Sequence, residues 1–123
     1  EEHYVPLAFE QICRQFLIRK NRSGELTDSF EKVGKYWYDD SVNHKNGEFD
    51  VVTENNGSYI FYEAKFRDEK LDSKLILDEI QQVKNTGLLC GKYGFFSKSG
   101  YKEIDEAYKK QLILYELEDL YRE

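Results

Sequence analysis

Between Leu7 and Lys20 the apolar residues recur at helical spacing: Phe9, Ile12, Cys13, Phe16 and Leu17 form one stripe, and Glu10 lies on its border. Pro6 suits the first turn of that helix, where a missing N–H costs nothing, and Asn21-Arg22-Ser23-Gly24 ends it. The period then shortens to two. Val33 to Tyr38, Glu48 to Thr53 and Tyr59 to Arg67 read as strands, with turns at Asn43 to Gly47 and at Asn55-Asn56-Gly57-Ser58. Leu71 to Lys84 returns to helical spacing, with Leu71, Leu75, Ile76, Ile80 and Val83 apolar and Gly87 as the stop. Leu88 to Ser97 has strand character, a short helix is expected over about Tyr101 to Lys110, and Leu112 to Leu117 reads as a last strand. The predicted order α-β-β-β-α-β-α-β places a helix before a three-strand meander and a helical crossover after it. The fold class is therefore α/β, a mixed sheet with helices on both faces.

Length and composition narrow the picture. With 123 residues and 40% hydrophobic content, one compact domain spanning 1–123 is expected, large enough to fold without staples. The formal charge of −6 has the wrong sign for a domain that grips nucleic acid unaided through phosphate neutralisation. Charge is unevenly spread, however. Arg14, Arg19, Lys20 and Arg22 gather near the end of the first helix, whereas Glu116, Glu118, Asp119 and Glu123 load the C-terminus. Cys13 and Cys90 sit among apolar residues without zinc-ligand spacing and read as buried thiols of a reducing, cytoplasmic setting. No apolar run reaches membrane-spanning length. Methionine is absent and the chain opens on Glu1-Glu2, so a domain cut from a longer polypeptide is expected.

The candidate chemistry lies in three acid-bearing segments: Phe9-Glu10 in the first helix, Glu48-Phe49-Asp50-Val51-Val52 in one strand, and Tyr62-Glu63-Ala64-Lys65-Phe66 in the next. Strand alternation projects Glu63 and Lys65 to one side and Tyr62, Ala64 and Phe66 to the other. If the two strands pair antiparallel through the Asn55–Ser58 turn, Asp50 comes close to Glu63 and supplies oxygen ligands for a hard cation such as Mg2+ or Mn2+. Asp50, Glu63 and the Ala64 carbonyl are then direct ligands. Glu10 completes the shell directly, through water or at a second ion, and Glu48 is a further candidate. Lys65 orients or activates the attacking water and offsets phosphate charge.

The segments Phe9-Glu10, Tyr36-Trp37, Glu48 to Val52, Tyr62-Glu63-Ala64-Lys65 and Phe95 to Tyr101 resemble the PD-(D/E)XK, or restriction-endonuclease-like, nuclease superfamily. More narrowly, they resemble the C-terminal domain attached to a group of archaeal and bacterial P-loop ATPases. The resemblance covers nearly the whole chain. It implies the α-β-β-β-α-β core, metal-dependent hydrolysis of DNA, catalytic roles for Glu10, Asp50, Glu63 and Lys65, and an ATPase upstream in the same chain. Phe49 stands where the superfamily's name motif has proline. The alternative is a catalytically inactive module of the same fold that binds nucleic acid or protein and regulates the ATPase; oligomerisation is left open.

Each feature also has a plainer reading. Glu63 and Lys65 alone describe a solvated strand face carrying an ion pair worth ~0.5 kcal/mol, and Glu10 alone describes a partner for Arg14 one turn on. Gln81 and Gln82 fall where some superfamily members hold a polar residue near the site, or on the solvent side of the second helix. Trp37, with Tyr36 and Tyr38, is suited to stacking bases, although aromatic strand residues usually belong to the core. His3 and His44 have no partner at ligand spacing. Gly87 to Tyr93 falls one residue short of a phosphate-binding loop between its glycines and has Tyr93 where Ser or Thr must meet Mg2+.

Overall fold

A computed structural model describes residues 4–40 and 45–122. The elements run α1 (Tyr4–Arg22), β1 (Lys32–Asp40), β2 (Lys45–Asn55), β3 (Ser58–Lys65), α2 (Ser73–Lys84), β4 (Cys90–Ser97), α3 (Glu106–Lys109), β5 (Leu112–Glu116) and a closing 3-10 turn, Leu117–Tyr121. They build one five-stranded sheet in sequential order, β1-β2-β3-β4-β5. The first three strands form an antiparallel meander, and β4 and β5 add in parallel. The expected mixed α/β sheet is therefore present. His3, and Asn43 and His44 of the first turn expected after β1, lie outside the described residues, whereas Lys45 to Gly47 of that turn belong to β2.

Two-sided burial explains the strand sequences. On one face Phe49, Val52, Phe61, Tyr93 and Phe95 pack with Leu71, Ile76, Ile80 and Val83 of the α2 region. On the other face Val51, Tyr62 and Phe96 pack with Phe9, Cys13, Phe16 and Leu17 of α1 and with Leu120. Apolar residues on consecutive strand positions are what such a sandwiched sheet requires. Cys13 is fully buried, whereas Cys90 is only half-buried at the start of β4.

The β2–β3 hairpin is set by Asn56 (φ 51°) and Gly57 (φ 82°), both in the left-handed region that a tight two-residue turn demands. Helix α2 begins two residues later than its apolar spacing predicts, because Asp72 caps it: the Asp72 carboxylate accepts from the Leu75 N–H at 2.9 Å. Leu71 instead forms an isolated parallel bridge with Tyr101. That bridge also corrects the helix expected from Tyr101. The Tyr101 hydroxyl donates to the carbonyls of Phe95 and Tyr115, which holds its backbone extended, and only Glu106–Lys109 is helical.

One irregularity shapes the site. From Gly34 to Tyr36 β1 advances two residues while β2 advances three, from Val52 to Phe49. This is a β-bulge in β2. Pairing between β2 and β3 stops at Val51 and Tyr62, so Asp50 has no ladder partner on either side.

Candidate functional site

The hairpin register places Glu63 and Lys65 at the carboxyl end of β3, where β2 has already turned away. Strand alternation operates as expected: Tyr62, Ala64 and Phe66 join the core under α1, leaving Glu63 and Lys65 on the α2 side. The Lys65 ammonium lies 3.5 Å from Glu63 Oε2 and 3.1 Å from Oε1 of Glu79, a residue of α2. All three side chains are mostly buried, with 26%, 13% and 15% exposure for Lys65, Glu63 and Glu79, so their electrostatics are poorly screened.

Glu79 was missed by sequence reasoning, which looked to Gln81 and Gln82. Both glutamines are exposed, and Gln81 is spent on Asn85 at 3.0 Å. The usable signal was helical spacing: Glu79 follows Ile76 by three and precedes Val83 by four, so an acid occupies the buried stripe of α2.

The second half of the site comes from α1 and the bulge. Glu10, one residue after buried Phe9, lies close enough to Asp50 for the two acids to influence each other. Arg14 does not pair with Glu10. Its guanidinium donates to the backbone carbonyl of Asp50 at 3.2 Å, tying α1 to the bulged segment. Glu48 faces away from Phe49 toward α1, and its Oε2 is buried without a hydrogen-bond partner among the described residues, 3.8 Å from the Lys35 ammonium. Simple strand alternation would put Glu48 and Asp50 on one face, and the bulge between Phe49 and Val52 breaks it.

The charges are strained in a consistent direction. Burial pushes Glu63 up to about 8, reinforced by repulsion from Glu79 and Asp50 and opposed by Lys65. Burial, then Asp50, pushes Glu10 up to about 7. Burial opposes the charge on Lys65, but Glu79 and Glu63 outweigh it and hold its ammonium above the ordinary value. Carboxylates that keep protons near neutrality mark a place short of positive charge. Hard oxygen donors in that condition suit a divalent cation by chemistry and by charge. Among the described residues, however, no group of three or more His, Cys, Asp or Glu is gathered closely enough to hold a metal ion. Lys65 is the cation that Glu63 and Glu79 share, and Lys35 is the one that bears on Glu10.

The remaining sequence features fall outside the site. Tyr36 and Tyr38 pack onto Phe49 in the α2-side core, whereas Trp37 is 71% exposed. Gly87 to Tyr93 forms the exit from α2 and the start of β4, without a phosphate-binding loop.

The chain is similar to proteins described as of unknown function. The family DUF234, described as "Archaea bacterial proteins of unknown function", matches residues 1–82. An uncharacterized protein of Methanocaldococcus jannaschii, MJECL04, is 27% identical over 119 residues, covering 94% of this chain and 26% of its own length. The chain thus spans about a quarter of that relative. Among solved structures, the crystal structure of the protein of unknown function AF1548 superposes with a TM-score of 0.55 at 18% identity, over 85% of this chain and 58% of the other. That likeness concerns the fold. No helix among the described residues is long and apolar enough to cross a membrane.

Proposed function

The chain belongs to the DUF234 family of archaeal and bacterial proteins of unknown function, and from that premise we propose that it is a metal-dependent phosphodiesterase domain of the PD-(D/E)XK type, acting on DNA as part of a longer ATPase. The observation that supports the reading is that Lys65 lies 3.5 Å from Glu63 at the end of β3, while the charge of Asp50 on the bulged strand bears on both Glu63 and Glu10. Crevices at the carboxyl ends of parallel strands are the usual ligand sites of such sheets.

Asp50, Glu63, Glu10 and the Ala64 carbonyl are the groups that would hold Mg2+ or Mn2+. When bound, such an ion neutralises the non-bridging phosphate oxygens and lowers the pKa of a coordinated water. The protein's own contributions are positional and electrostatic. Lys65 carries a positive charge in a mostly buried setting and is held at a fixed place by Glu79, where it offsets the charge of a phosphate and orients a water. Glu10, pushed up to about 7, exchanges a proton near neutrality. Arg14 fixes the Asp50 backbone.

The test is incubation of the chain with DNA in Mg2+ or Mn2+ beside a Lys65→Ala control. Metal-dependent products from the wild type alone support the reading, and equal products from both proteins remove it. One observation favours a second reading: Lys65 already neutralises Glu63 and Glu79, and no three-ligand group stands ready among the described residues. In that case the domain is a non-catalytic module regulating the ATPase. Calorimetric titration with Mn2+ separates the two, since the regulatory role predicts no metal binding.

A further inference from the structure

Strand β1 is an edge of the sheet, and its three consecutive aromatic residues part company there. Tyr36 and Tyr38 point to the α2 side and pack on Phe49. Trp37 points to the α1 side and is 71% exposed, in contrast to the buried aromatic residues of the sheet. Residues two apart on a strand share a face, so Lys35 stands beside Trp37, and Glu48 is its Cα partner across the β1–β2 ladder. Lys35 is 41% exposed and only loosely paired with Glu48, at 3.8 Å. Beyond Lys35 a groove of 340 Å3 runs along α1, lined by Glu10, Gln11, Arg14, Gln15 and Lys35. Arg14 at its far side is bonded to the Asp50 carbonyl. An exposed indole is thus followed by two cations and two amides, and the line ends at the acids of the candidate site.

We propose that Trp37, Lys35 and Arg14 form an entry track for an unpaired nucleic-acid strand, with a base stacked on Trp37 and the adjoining phosphates led past Lys35 and Arg14 toward Asp50. The indole face is offered to a flat partner, and only an unpaired base can take it, because bases in a duplex are already stacked on both sides. The separation agrees. Glu48, opposite Trp37, lies two residues from Asp50, which is about 7 Å of strand and about two nucleotides at a stacked rise of ~3.4 Å. The occupant is a nucleic acid strand rather than a protein strand added to the β1 edge, because the groove beyond Lys35 is lined, among the described residues, by charged and amide side chains and not by the apolar ones that seat a peptide. The domain's net charge of −6 predicts that the grip is local and weak at high salt. The inference rests on the phosphodiesterase reading for where the strand leads, but not for its test.

Trp37 is the chain's single tryptophan, so its fluorescence reports directly on stacking. The experiment titrates the whole chain with oligothymidylate, and separately with a long, fully paired two-stranded duplex, in EDTA at about 50 mM salt. Saturable quenching by the single strand and none by the duplex is expected. With a labelled oligonucleotide read by anisotropy, Trp37→Ala is expected to weaken binding about fivefold to a hundredfold. Lys35→Ala is expected to make the salt dependence shallower by about 0.7 in logarithmic slope. Since Trp37 is exposed, its replacement is expected to leave the melting temperature unchanged. No quenching by the single strand, equal quenching by the duplex, or an emission change that follows protein concentration alone overturns the track, the last of these revealing self-association through β1. The two readings fail separately: quenching without any metal-dependent cleavage upholds the track and removes the phosphodiesterase, and cleavage without quenching does the reverse.

Discussion

The ammonium of Lys65 sits 3.1 Å from the carboxylate of Glu79, joining the end of β3 to the middle of α2 across fourteen residues of sequence. Glu79 therefore decides how Lys65 is shared. With Glu79 present, Lys65 keeps 3.5 Å from Glu63; without it, Glu63 is the carboxylate left to hold the ammonium. Glu79→Gln is accordingly expected to weaken Mn2+ binding about tenfold, the scale seen when a residue supporting a metal ligand is removed. Calorimetry at pH 8 measures this, and adding Lys65→Ala to Glu79→Gln is expected to restore much of the loss.

The raised carboxylates make a prediction about pH. Glu63 at about 8 and Glu10 at about 7 in the folded chain, against an ordinary value of 4.5, mean that the native state binds more protons than the unfolded one. Their contribution to stability is full below about pH 4.5 and is lost as pH rises through 7 to 8. Thermal melts in EDTA are expected to show a falling melting temperature between these limits. Glu63→Gln, which removes the more strongly raised group, is expected to flatten the curve and to melt higher than wild type at alkaline pH while losing metal affinity.

Metal affinity is expected to move the opposite way. At the proposed metal site protons and a divalent cation would compete for Glu63 and Glu10, so Mn2+ binding is expected to strengthen as pH climbs through the same interval, with proton release on binding. Titrations in two buffers of different ionisation enthalpy detect that release.

Tyr62 and Gly94 face each other across the β3–β4 ladder, and the Tyr62 ring lies over the glycine so closely that a Cβ there collides with it. Gly94→Ala is expected to cost about 3 kcal/mol, because Tyr62 is held by Phe96 and the α1 core and has nowhere to move. The Tyr62 hydroxyl is buried and finds no hydrogen-bond partner among the described residues. Tyr62→Phe is thus expected to be neutral or to stabilise by about 1 kcal/mol. Urea unfolding of the two variants distinguishes a ring position under pressure from one that is merely buried.

At the head of α2, Asp72→Ala removes the acceptor of the Leu75 N–H and is expected to destabilise by about 1 kcal/mol, readable in the same unfolding curves.

Much of this architecture follows from local rules. Phe9, Cys13, Phe16 and Leu17 specify α1 by their spacing, Asn56-Gly57 specifies a tight hairpin, and the alternation through Tyr62 to Phe66 puts Glu63 beside Lys65 without any knowledge of neighbours. The order of elements, and with it a mixed sheet covered on two faces, was legible for the same reason: period and turn chemistry act over a few residues. What lay beyond reach depends on contacts distant in sequence. The bulge that leaves Asp50 unpaired arises from fitting β1 against β2, and Tyr101 stays extended because its hydroxyl reaches two carbonyls of the sheet. Glu79 comes to Lys65 only once α2 packs over β3, and Trp37 lies open on the edge strand while its neighbours Tyr36 and Tyr38 pack on Phe49. The sequence by itself thus determined the elements and the neighbours that strand geometry enforces. The tertiary structure alone decided which acid shares Lys65 and which aromatic residue faces solvent, because burial and Coulomb forces depend on distance in space and not on distance along the chain.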